Sequence, residues 1–131
     1  MKINQFENSN VRDDKQNIIV SKTFDFSLEI ILFTEVLRNE RKFELASQLF
    51  RSGTSIGANV KEAQNAESKA DFIHKFKIAA KEADETIYWL ELCSKSEVLP
   101  NPTTGLLDKA NEIMKILSKI ISSAKKSRFS N

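Results

Sequence analysis

The apolar residues in the last third of the chain fall at Leu106, Ala110, Ile113, Leu117, Ile120 and Ala124, alternately four and three residues apart. A helix of about 3.6 residues per turn places such a row on one side, whereas a strand would scatter it over both faces. Leu107, Met114 and Ile121 widen the stripe to about 140 degrees at about 100 degrees per residue. A helix marked in this way must bury the stripe against other elements, and the same period recurs upstream. With only three glycines and two prolines in 131 residues, the chain lacks the turn chemistry that a multi-stranded protein needs at each hairpin. The expected fold is therefore all-α, an antiparallel up-down-up-down four-helix bundle in a single domain.

Residues 1–17 are polar, with Ile3, Phe6 and Val11 at no useful period, and read as a mobile arm ahead of a domain spanning 18–128. Ile18, Ile19 and Val20 suggest a turn or brief extended contact, and Ser21 or Thr23 is the expected cap of a first helix over about 22–38. That helix carries Phe24, Leu28 and Ile31 on one side and Phe26, Ile30, Phe33 and Leu37 nearly opposite. A lone bundle covers only one of two such faces. The third helix, over about 69–97, opens on a capping-box pattern at Ser68 and Asp71 and carries Phe72, Phe76, Ala79, Ala83, Ile87, Leu90 and Cys93. Leu99, Pro100, Asn101 and Pro102 break it, and Asn101 with Pro102, or Thr103, is the expected start of a fourth helix over about 103–126. Surplus apolar surface on the first, third and fourth helices predicts a homo-oligomer.

The second helix, over about 42–66, is the least ordinary. Leu45, Leu49, Ile56, Val60 and Ala63 form its core line, yet Gly53 and Gly57 lie inside it, each costing about 1 kcal/mol relative to alanine. With Ala46 they form a strip of small side chains that lets a neighbouring helix approach closely. On its other flank Gln48, Ser52, Ser55, Asn59 and Glu62 make a polar strip. Two roles fit that strip. It can supply helix–helix hydrogen bonds that set register, with Asn59 and Glu62 reaching Lys77, Lys81 or Tyr88, or it can form a groove or subunit contact.

Catalytic constellations are weak. His74 is the only histidine and falls about 160 degrees from the core line of its helix, which places it in solvent or at an oligomer contact. Asp71 and His74 have the spacing of carboxylate-bridged metal bundles, but those require a second such pair. Cys93, the single cysteine, excludes an intramolecular disulfide and reads as an inert buried thiol. Gly53 and Gly57 follow no strand and lack a P-loop lysine. No enzyme activity, cofactor, metal or small-molecule substrate is expected. With no long apolar run, the chain reads as cytoplasmic, with no membrane partner.

The net charge of +2, from twenty Lys and Arg against eighteen Asp and Glu, is far from that of a dedicated nucleic-acid binder. Locally, Lys109, Lys115, Lys119, Lys125, Lys126 and Arg128 stand against Asp108 and Glu112 near the C-terminus. Such a cluster is either a solvated helix face or a phosphate contact for RNA or DNA, with Lys115, Lys119 and Lys126 the candidate residues.

The segment from Gln48 through Arg51-Ser52-Gly53-Thr54-Ser55-Ile56-Gly57-Ala58-Asn59 to Glu62-Ala63, then Asp71-Phe72-Ile73-His74-Lys75 and Lys81 to Leu90 with its Tyr88-Trp89-Leu90 ending, resembles the bacterial four-helix bundle family. Its members include proteins encoded in intervening sequences of 23S ribosomal RNA genes. The resemblance spans about residues 18–123 and marks Arg51, Ser52, Ser55, Asn59 and Glu62 as a packing or subunit-contact signature. It implies an antiparallel bundle, often a ring-shaped homopentamer, with no established activity in most members and no catalytic residues to carry over. A related branch, the accessory protein of diversity-generating retroelements, is a basic pentamer that partners a reverse transcriptase and nucleic acid. This chain differs from that branch in carrying a net charge of only +2.

Overall fold

The computed structural model describes the backbone of residues 10–127 and the side chains of residues 18–127. Four helices follow in order: α1 over Asn10–Asn39, α2 over Phe43–Ala63, α3 over Lys69–Lys95 and α4 over Leu106–Lys126. They touch in the cyclic order α1, α2, α3, α4 and back to α1, so α1 and α3 stand at opposite corners. Gly53 lies against Ile30 and Gly57 against Thr23, so α1 and α2 run in opposite directions. Ser52 meets Thr86 while Glu62 meets Lys75, which makes α3 antiparallel to α2. Lys22 pairs with Glu112 and Glu29 with Lys109, which makes α4 antiparallel to α1. The four helices are therefore an up-down-up-down bundle.

The core is a single cluster. Phe26, Ile30, Phe33 and Leu37 from α1 meet Leu49, Ile56 and Val60 from α2, Phe76, Ala79, Ala83 and Leu90 from α3, and Leu106, Ile113 and Leu117 from α4. Of the two stripes on α1, the one with Ile30 is inside, because Ile30 seats on Gly53. In α3 the expected core members Phe72 and Ile87 are only half-buried, and Thr86 takes an interior place instead. Ile120 and Ala124 of α4 are likewise half-buried, where the bundle ends.

Helix ends depart from expectation more than helix faces do. α1 begins at Asn10, so residues 10–17, assigned to an arm by their weak period, are helical, and residues 1–9 lie outside the described residues. Ser21 and Thr23 cap nothing. Thr23 sits in mid-helix, buried, its hydroxyl donating to the Ile19 carbonyl at 2.8 Å. Ile19, expected near a turn, is a fully buried helical residue.

α1 stops at a Schellman motif in which Lys42 N–H donates to the Leu37 carbonyl and Arg41 N–H to the Arg38 carbonyl, both at 2.8 Å. Arg41 takes the left-handed conformation that the motif demands, with φ of 65°. The Ser68 hydroxyl accepts from Asp71 N–H at 3.0 Å as a capping box requires, and the Asp71 carboxylate accepts from Glu67 N–H at 3.2 Å. α4 starts at neither Asn101 nor Thr103. Its cap is Gly105, in the left-handed region at φ of 85°, where a glycine carries no steric penalty.

Candidate interaction surfaces

The polar strip of α2 divides into side chains that cross to α3 and side chains that do not. Ser52 is fully buried, and its hydroxyl shares a 2.9 Å hydrogen bond with that of Thr86, which also lies 2.8 Å from the Glu82 carbonyl. Arg51, half exposed, donates to Glu85 at 2.6 Å and to Glu82 at 3.2 Å, and Glu85 also accepts from the Trp89 indole N–H at 3.0 Å. The Arg51 hydrogen bond holds the Glu85 carboxyl below its ordinary range, and the same bond raises the Arg51 guanidinium. Because Arg51 is exposed to screening solvent, the pair contributes under about 1 kcal/mol; its geometry fixes register more than it adds stability.

Glu62 pairs with Lys75 at 2.9 Å, so the expected partners Lys77, Lys81 and Tyr88 are replaced by a residue nearer the α2–α3 turn. The hydrogen bond that the Lys75 ammonium donates to Glu62 raises it above its ordinary value. Ser55 and Asn59 do not cross at all. Ser55 donates to the Arg51 carbonyl at 2.7 Å and the Asn59 amide to the Ser55 carbonyl at 2.9 Å, each one turn back in its own helix. The side chains of this flank that reach across to α3 are therefore Arg51, Ser52 and Glu62. Their partners Thr86 and Glu85 were not singled out by the sequence; the four-residue spacing of Glu85 and Trp89 is a signal for Glu85 alone.

Between Phe24 and Val36 the outer side of α1 is apolar and exposed among the described residues. Phe24 is 63% exposed, Leu28 49%, Leu32 68% and Val36 43%, spaced every four residues on the side opposite the core stripe. Beside this row Val20, Phe24, Leu28 and Ile31 meet Phe50 and Lys61 of α2 in an open, almost wholly apolar groove. On α3, at the opposite corner, Tyr88 and Leu92 are exposed one turn apart, and Val98 is exposed just beyond the helix.

Lys115, Lys119 and Lys126 are exposed along α4, with no ion pair among the described residues; Arg128 lies outside them. His74 is exposed. Cys93 is fully buried, and burial pushes its thiol up to about 11. Among the described residues no cluster of three or more His, Cys, Asp or Glu is placed to hold a metal, and no helix is long and apolar enough to cross a membrane.

The profile of the family described as 23S rRNA-intervening sequence protein matches residues 15–119, most of the four helices. The chain belongs to that family. No curated protein matches it significantly. A solved relative is similar in both sequence and shape: a protein of unknown function from the S23 ribosomal protein family of Bacteroides thetaiotaomicron, 44% identical, with a TM-score of 0.76, covering 82% of this chain and 98% of that one. Neither the 23S rRNA-intervening sequence family nor this relative carries a catalytic assignment. The family match contains Arg51, Ser52, Ser55, Asn59 and Glu62, together with Lys115 and Lys119, and ends before Lys126.

Proposed function

We propose that this protein is a non-enzymatic, homo-oligomeric four-helix bundle that serves as an interaction scaffold in the cytoplasm, with five subunits as the family resemblance implies. The observation that supports this is the row Phe24, Leu28, Leu32 and Val36, a second apolar face on a helix whose first face already fills the core. A soluble monomer rarely leaves so continuous an apolar row in water. A second copy is the favoured occupant because the near-neutral net charge of +2 sets up little repulsion between copies. The exposed apolar pair Tyr88 and Leu92 lies on a different corner, on α3. A contact between two unlike patches is heterologous, the kind that builds a ring when its rotation closes.

Light scattering at micromolar concentration tests this. The native chain should run at a multiple of its 14.9 kDa mass, and Leu28→Lys with Leu32→Lys should reduce it to a folded monomer. A monomeric native protein overturns the proposal.

The alternative is a nucleic-acid-binding accessory subunit, favoured by Lys115, Lys119 and Lys126 on α4, exposed and without an ion pair among the described residues. The family description and the relative's S23 ribosomal assignment lend support to a place near ribosomal RNA. Binding that weakens with salt and with glutamate at these lysines is expected, and no binding at low salt overturns it.

A further inference from the structure

Charge is distributed unevenly along two of the helices. The first half of α3, residues 69–81, carries four lysines against Asp71 alone, whereas residues 82–95 carry four acids against Lys95. In α4 the order is reversed: residues 106–114 carry Asp108 and Glu112 against Lys109, and residues 115–126 carry four lysines and no acid. The two basic stretches are separated in sequence by the acidic one. Antiparallel packing brings them to the same end of the bundle.

The height at which they meet is set by Lys69 at the start of α3, whose ammonium donates to the Ser127 carbonyl just past α4 at 2.7 Å. Counting away from that contact at about 1.5 Å per residue, Lys77 comes level with Lys119, and Lys81 with Lys115. All four are exposed, and none is in an ion pair among the described residues. Asp71, the one acid of this half of α3, is engaged with Glu67 N–H at the α2–α3 turn.

We propose that the outer faces of α3 and α4 at this end form one basic surface, centred on Lys77, Lys81, Lys115 and Lys119, that binds the phosphate backbone of double-stranded RNA. This deepens the nucleic-acid alternative above and rests on it, adding the α3 lysines and the duplex. Ser118, Ser122 and Ser123 lie exposed among the α4 lysines. Hydroxyls donate to phosphates and to ribose 2′-OH groups, whereas a membrane-seeking helix would carry apolar anchors at such positions. Two helices side by side also present a broad face rather than a single projecting helix. A broad face suits the wide, shallow minor groove of A-form RNA, while reading B-DNA needs an element inserted into its major groove.

The test is fluorescence anisotropy of the full chain with an RNA duplex of arbitrary sequence, alongside the same sequence as a DNA duplex and anionic phospholipid vesicles. With about four phosphate contacts, affinity for the RNA should fall roughly a hundredfold between about 50 and about 200 mM salt. Lys77→Glu with Lys81→Glu, and Lys115→Glu with Lys119→Glu, should each lower affinity at least about tenfold and reduce the salt slope by about two. Lys95→Glu, at the opposite end, should leave binding unchanged. Circular dichroism and light scattering of each variant separate lost binding from lost folding or assembly. Loss on the α4 change but none on the α3 change overturns the two-helix surface and leaves the α4 alternative standing. Binding to neither RNA nor DNA at low salt overturns both. Preference for DNA or vesicles over RNA overturns the assignment of the partner.

Discussion

Ile30 of α1 sits directly on Gly53 of α2, so closely that a β-carbon on the glycine would lie 2.8 Å from both γ-carbons of the isoleucine. At Gly57, one turn along, the same atom would lie 3.1 Å from the backbone carbonyl oxygen of Thr23. Two glycines in mid-helix lower the helix's own stability, and the close seating of α1 is what offsets them.

Gly53→Ala sets two effects against each other. Alanine gains about 1 kcal/mol of helix propensity, but the clash is with both γ-carbons of Ile30, which cannot swing away together as a flexible chain end would, and overpacking costs about 1–3 kcal/mol. Net destabilisation of about 1 kcal/mol is expected in urea denaturation. In the double variant with Ile30→Ala, the total loss should be smaller than the sum of the single losses. A stabilised Gly53→Ala variant would show that the helices can part without cost.

Arg41→Gly should stabilise the protein. Arg41 holds φ of 65° at the α1–α2 junction and makes none of the described side-chain ion pairs. A residue with a β-carbon costs about 1–2 kcal/mol in that conformation, partly offset by the greater freedom of glycine in the unfolded chain. A gain of about 0.5–1 kcal/mol in thermal or urea unfolding is the expected outcome.

Cys93 should be inert in the folded state. Its thiol is fully buried and raised from 9.0 to about 11. Iodoacetamide at pH 8 should label it only through unfolding, so adding urea should speed modification sharply. Because the folded-state value is the higher one, the thiol's contribution to stability is present in full below about pH 9 and is lost as pH rises toward about 11. Cys93→Ala should remove that part of the alkaline decline.

The helical period, the scarcity of glycine and proline, and the small-residue strip at Ala46, Gly53 and Gly57 were enough to establish the bundle, most of the core lines of α2, α3 and α4, and a close helix–helix approach. Those features are local, because a helix carries its own hydrogen bonds and its apolar period marks the side it must bury. Tertiary structure alone decided the remainder. α1 carries two chemically similar stripes, and the one that went inside is the one whose Ile30 fits over Gly53. Ser52 found Thr86 and Glu62 found Lys75, while Asn59 turned back to its own helix, because side-chain reach depends on the axial offset between helices. The lysines of α3 and α4, far apart in sequence, came to one end of the molecule only because the two helices run in opposite directions.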